Sequence, residues 1–136
     1  MVYALDTNIV IHYLRNEPNV RRNFNNAVTQ GDDIVIPQIV NYEMRRGFRI
    51  FPAPAKEAVY KELLLFPGFC NTARAESYFW SLAEEIYEDL YRKRLTVGEL
   101  DILIAAVCLE KNYTLVTANT KDFENIKGLQ FVNWVE

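Results

Sequence analysis

Four carboxylates stand where this chain can most readily support chemistry. Asp6 follows the short apolar run Val2–Leu5, and Asp122 comes soon after the β-branched run Tyr113–Thr117. Glu43 lies on a helix predicted after Ile34–Ile36, and Asp101 lies in an early turn of the almost wholly apolar helix around Leu100–Leu109. An acid inside such a helix needs hydrogen-bond donors, a raised pKa or a cation, because burying it ionised and alone costs several kcal/mol. Taken singly, Asp101 also fits a helix edge in water, favoured by the N-terminal dipole. The other three acids shift that balance. Brought within several ångströms, four carboxylates raise one another's pKa unless a cation compensates them. All are hard oxygen ligands with no His or Cys pattern beside them, which suits Mg²⁺ or Mn²⁺. With water and phosphate oxygens completing the shell, the natural chemistry is in-line displacement at phosphorus by an activated water.

The elements that must position these acids follow from periodicity and breakers. Val2–Leu5 reads as a buried strand, followed by a helix through Ile9, Val10, Tyr13 and Leu14. Asn16-Glu17-Pro18 breaks it, and Pro18 opens a second helix that ends before Gly31. Asp32 and Asp33 read as a solvated turn before the strand Ile34–Ile36, and Pro37 suits an early position of the helix carrying Glu43. Phe51-Pro52-Ala53-Pro54 is a connector, with a helix from about Ala55 to Phe66 closed by Pro67-Gly68. Phe69–Asn71 gives a brief strand before a long helix from about Ala73 to Arg94. The aromatics Tyr78, Phe79, Trp80, Tyr87 and Tyr91 are expected to pack between helices, with an oligomer or partner surface as their other use. Thr96 and Glu99 have capping-box spacing at the start of the Asp101 helix, and Asn112 is its stop. Tyr113–Thr117 is a strong strand and Leu129–Val135 an alternating last one. Strands separated by helices imply a mainly parallel sheet in a three-layer α/β/α sandwich, one domain over residues 1–136. In such sheets ligands gather beyond the carboxyl ends of the strands, where Asp6, Glu43 and Asp122 fall and which Asp101 can reach.

Composition narrows the classes. At 136 residues, half of them hydrophobic, the chain can bury a substantial core without disulfides or a structural metal. A formal net charge of −3 argues against a protein that coats nucleic acid, and leaves room for a nuclease with an acidic centre and a basic rim. Cys70 and Cys108 are too few and too far apart for a disulfide framework, and read as small core hydrophobes. The N-terminus lacks a secretory pattern and no segment is suited to crossing a bilayer, so cytoplasm is the expected location, with no membrane partner. His12 reads as a packing or surface residue rather than a general base.

Leu5-Asp6-Thr7-Asn8, Glu43 after Ile36-Pro37, Glu99-Leu100-Asp101-Ile102-Leu103-Ile104-Ala105-Ala106 and Val116-Thr117-Ala118-Asn119-Thr120-Lys121-Asp122-Phe123 together resemble the PIN-domain family, and more narrowly the VapC toxins. The resemblance spans essentially the whole chain in order. It implies a PIN fold and an Mg²⁺- or Mn²⁺-dependent endoribonuclease, held inactive by a cognate VapB-type antitoxin and often dimeric. Position by position, Asp6, Glu43, Asp101 and Asp122 match the acidic quartet that holds metal and activates water. Thr7, Asn8, Thr117 and Asn119 match its polar supports, and Glu99 matches a position often acidic in the family, which also suits a cap. Arg45, Arg46 and Arg49 form either a solvated helix face or contacts to RNA phosphate or an acidic antitoxin segment. A PIN nuclease acting in RNA processing or on structured DNA, and a non-catalytic RNA- or protein-binding module, are the alternatives. A receiver-like domain would want paired acids after the first strand, whereas Asp6 stands alone there.

Overall fold

In a computed structural model of the chain, which describes residues 1–65 and 70–136, a parallel sheet holds the acids at one edge. The elements are β1 (Val2–Leu5), α1 (Thr7–Leu14), α2 (Pro18–Thr29), β2 (Asp33–Pro37), α3 (Gln38–Ile50) and α4 (Pro54–Leu65), then β3 (Cys70–Ala73), α5 (Ser77–Arg92), α6 (Glu99–Lys111), β4 (Thr114–Val116), α7 (Thr120–Phe123) and β5 (Phe131–Val132). The strand order is β3-β2-β1-β4-β5, and every pairing is parallel. Ala4 and Leu5, Ile34 to Ile36, and Leu115 and Val116 are buried on consecutive positions, so both faces of the central strands are covered. The fold is the α/β/α sandwich that the alternation of elements implies. No helix among the described residues is long and apolar enough to cross a membrane.

The order reverses direction at β1: the chain steps outward from β1 to β2 and β3, then returns to place β4 on β1's other side. Leu5 pairs with Val116, and the Asp6 N–H donates to the Val116 carbonyl at 2.9 Å, so the residues that follow β1 and β4 emerge side by side. This is the switch point at which a parallel sheet leaves a crevice.

Several local expectations are corrected. Pro37 ends β2, paired with Ala73 of β3, and caps α3 instead of starting it. Ala73 therefore belongs to a strand, and α5 begins only at Ser77. Its start is tied to α6 by the Glu76 N–H donating to Glu110 at 3.1 Å and by an ion pair from Lys111 to Glu76. Thr96 and Glu99 form no capping box: Gly98 is the N-cap, its carbonyl accepting the Ile102 N–H at 3.1 Å, with no side-chain cap bond. Asn112 does stop the helix, in a left-handed conformation at φ 57°. The last strand shortens to Phe131–Val132, because Asn19 and Asn23 of α2 donate to the carbonyls of Val135 and Trp134 at 2.7 and 3.0 Å and draw that segment out of the ladder.

Of the five α5 aromatics only Phe79 is buried; Tyr78, Trp80, Tyr87 and Tyr91 are exposed, so core packing accounts for one of them. Cys108 is a free thiol in the core, its pKa pushed up by burial, as a small hydrophobe should be. The predicted strand residue Phe69 and the helix end Phe66, with Pro67 and Gly68, lie outside the described residues.

Candidate active site

Asp6 is the fixed point of the site. It is 3% exposed, and burial pushes its pKa up while hydrogen bonds from Thr117, the Thr7 backbone and Asn8 pull it down. The Thr117 hydroxyl donates to Asp6 Oδ2 at 2.8 Å, Asn8 Nδ2 to the same oxygen at 3.0 Å, and the Thr7 N–H to Oδ1 at 2.8 Å. Asp6 thus caps α1 as its N-cap residue and is clamped from β4 at the same time. The cross-brace continues, with the Ala118 N–H donating to Asn8 Oδ1 and the Asn119 N–H donating to Thr117 Oγ1, both at 3.0 Å. Two loops from distant parts of the chain are locked into one polar floor.

Around that floor the other three acids converge. Thr7 donates its hydroxyl to Glu43 Oε1 at 2.9 Å, fixing the helix α3 carboxylate against α1. Burial raises the Glu43 pKa, Thr7 lowers it, the Asp6 charge raises it and the Arg46 charge lowers it. Asn119 donates its side-chain amide to Asp122, within the turn that opens α7. Asp101, in the first turn of α6, is raised to about 6, first by burial and then by Asp6, Asp122 and Glu43. Its carboxylate has no hydrogen-bond donor or ion-pair partner among the described residues. A Cβ at Gly98 would meet Asp101 Oδ2 at 3.8 Å.

The structure therefore brings Asp6, Glu43 and Asp122 within electrostatic range of Asp101, with Thr7, Asn8, Thr117 and Asn119 as donors to those three. It does not bring in Glu99, which is exposed at the start of α6, while the acids that raise Asp101 are the other three. Of the arginines, Arg46 couples to Glu43 and lies over the Tyr42 ring at 5.1 Å. Arg45 and Arg49 instead line a groove of about 480 Å³ between α3 and α4, facing Glu57 and Tyr60. His12 stays half-buried in the last turn of α1. Spacing gave no sign of Asn8 bridging both loops, since its partner Ala118 contributes only a backbone N–H.

A hard divalent cation fits this donor set. The site offers carboxylate oxygens alone, one of them half-buried and unpaired among like charges, which is an arrangement that a cation relieves. Among the described residues no group of three or more Asp, Glu, His or Cys side chains is already drawn together closely enough to hold a metal ion.

Residues 3–129 match the PIN domain family. A ribonuclease VapC2 of Rickettsia felis is 31% identical over 138 residues, covering 98% of both chains. A tRNA(fMet)-specific endonuclease VapC of Shigella flexneri is 29% identical over 136 residues, covering 97% of both. Among solved structures, VapBC2 from Rickettsia felis bound to a DNA fragment from its promoter superposes with a TM-score of 0.83 at 29% identity, covering 98% of this chain and 99% of that one.

Proposed function

The chain belongs to the PIN-domain family, in its VapC branch, and on that premise we propose that it is an Mg²⁺- or Mn²⁺-dependent endoribonuclease, the toxin of a type II toxin–antitoxin pair. The observation that carries the proposal is the meeting of four carboxylates at the switch point, with Asp101 left unpaired and its pKa raised to about 6. A purely structural site has no reason to gather like charges it cannot neutralise. Relatives named as ribonuclease and tRNA(fMet)-specific endonuclease support RNA as the substrate. Similarity to a VapBC complex supports a VapB-type antitoxin as the partner. A cytoplasmic location and a homodimer complete the reading.

The chain's own groups divide the work. Thr117, Asn8 and the Thr7 N–H hold Asp6 in one orientation, so it meets a ligand without reorganising. The Thr7 hydroxyl and the Asn119 amide do the same for Glu43 and Asp122. Asp101, whose pKa burial and the other three acids raise to about 6, is ionised at neutral pH and offers a cation a carboxylate that no protein donor occupies. When bound, the cation supplies Lewis-acid activation of water and charge compensation at the phosphate.

The test is cleavage of total cellular RNA by purified protein in Mg²⁺, in Mn²⁺ and in chelator, with Asp6→Asn alongside. Discrete, metal-dependent products absent from the variant are expected. Products that persist in chelator, or at wild-type rate in Asp6→Asn, would overturn the assignment. Growth arrest on expression, relieved by the antitoxin, tests the toxin role separately.

A further inference from the structure

Beside the carboxylates lies a second, unlike cavity. It has a volume of about 390 Å³ and shares Thr7 and Glu43 with the acidic site, while Ile11, Met44 and Phe48 give it apolar walls. Phe51, at the end of α3, stands on its edge with 77% of its surface exposed. Among the described residues the Phe51 ring has no aromatic partner, which leaves its faces open to a ligand. Phe48 differs: one side of its ring is taken up by Tyr60, with centroids 5.9 Å apart. Arg15 and Lys56 line the same cavity, both exposed, and neither has an ion-pair partner among the described residues.

These features describe a place for one unstacked base of a single strand. RNA is read by splaying out a base and stacking it on an aromatic face, while cations take the flanking phosphates. An apolar wall suits the base, and free cations suit the backbone on either side. A strand whose phosphate sits among the four acids must lay a neighbouring nucleotide somewhere, and the cavity shares a wall with that site. We propose that this cavity is the subsite for a nucleotide adjacent to the cleaved bond, with Phe51 stacking on its base and Arg15 and Lys56 holding backbone phosphates. The proposal rests on the nuclease reading and adds to it a specificity-determining residue, Phe51.

The experiment uses the full chain and short unstructured oligoribonucleotides, each carrying one 2-aminopurine at a successive position. In Asp6→Asn with Mg²⁺ present, a variant expected not to cut, binding should quench the probe at one position, and adding Phe51→Ala should remove that quench while Phe51→Trp restores it. In Mg²⁺, Phe51→Ala should raise KM about tenfold with kcat little changed, the loss expected for one base–aromatic stack. Lys56→Ala should weaken binding equally for every sequence and lessen its salt dependence. Quenching at no position, or unchanged quenching and KM in Phe51→Ala, overturns the subsite while leaving metal-dependent cleavage standing. Phe51-dependent quenching by a protein that never cuts RNA upholds the subsite and overturns the nuclease. If Phe51→Ala leaves RNA binding intact and instead weakens the antitoxin, the cavity belongs to the protein partner and the subsite is overturned.

Discussion

Asp101 makes the folded chain less stable at neutral pH than an uncharged isostere would. Its folded pKa of about 6 lies above the ordinary value of 3.8, so between those values the native state binds more protons than the unfolded state. Stability then falls as pH rises through that window, and the full penalty is present above it. In chelator, Asp101→Asn is therefore expected to raise Tm near neutral pH, with the advantage fading as pH falls from about 6 towards 3.8. Scanning calorimetry across that range checks both halves, and a variant less stable than wild type at every pH would mean that Asp101 has a partner. Thr117 makes the opposite case. Its hydroxyl donates to Asp6 and accepts from the Asn119 N–H, entirely away from solvent. Thr117→Val should cost about 2 kcal/mol in urea unfolding, because a bond to a charged group is lost and a donor is stranded, while Thr117→Ser should cost much less. Asp6 and Asp122 were legible as acids soon after strands, and Glu43 and Asp101 as acids on helices that lead to the same end of the sheet. Their donors were legible only through family resemblance, because nothing in spacing tells which hydroxyl faces which carboxylate.

Helix ends show why boundaries are harder to read than elements. Thr96 and Glu99 satisfy the pattern of a capping box, yet a cap needs the first hydrogen-bonded carbonyl to belong to the capping residue, and here that carbonyl is Gly98's. Gly98 takes the position with φ −59° and ψ 146°, which leaves Glu99 as the first helical residue and Thr96 outside the helix. Thr96→Ala is accordingly expected to change stability by less than about 0.5 kcal/mol, where loss of a true cap would cost about 1. Asn112 at the other end was read correctly, since a left-handed C-terminal residue is a local demand that Gly and Asn meet. Asn112→Ala should cost about 1 kcal/mol, measured by urea unfolding beside Thr96→Ala. The α5 aromatics fall between these cases. Helical spacing announces an aromatic-rich helix, but which side meets the core is fixed by α6, against which α5 packs, and so by tertiary contact.

At the scale of the whole molecule, alternation of buried strands and helices was enough to give the sandwich, because strands covered on both faces carry unbroken apolar runs. The order β3-β2-β1-β4-β5 was not readable, since any outer strand could have stood beside β1, and it is this order that sets Asp6 against Thr117. The sheet thus spends part of its stability in holding like charges together, and a ligand that binds only the folded arrangement returns it. If four acids are held together only by the fold, a divalent cation should stabilise the protein by mass action, by about 2.7 kcal/mol at a hundredfold excess over Kd. For a chain of this size that is a rise in Tm on the order of 10 °C. Asp6→Asn should lose most of the rise, because it removes a charge from the centre of the site while leaving its Thr7 and Thr117 neighbours in place. Monovalent salt at matched ionic strength should give a much smaller rise, since screening relieves repulsion without linking the carboxylates. Equal shifts with the two salts would mean that the acids repel one another without forming a binding site, and the nuclease assignment would lose its physical basis.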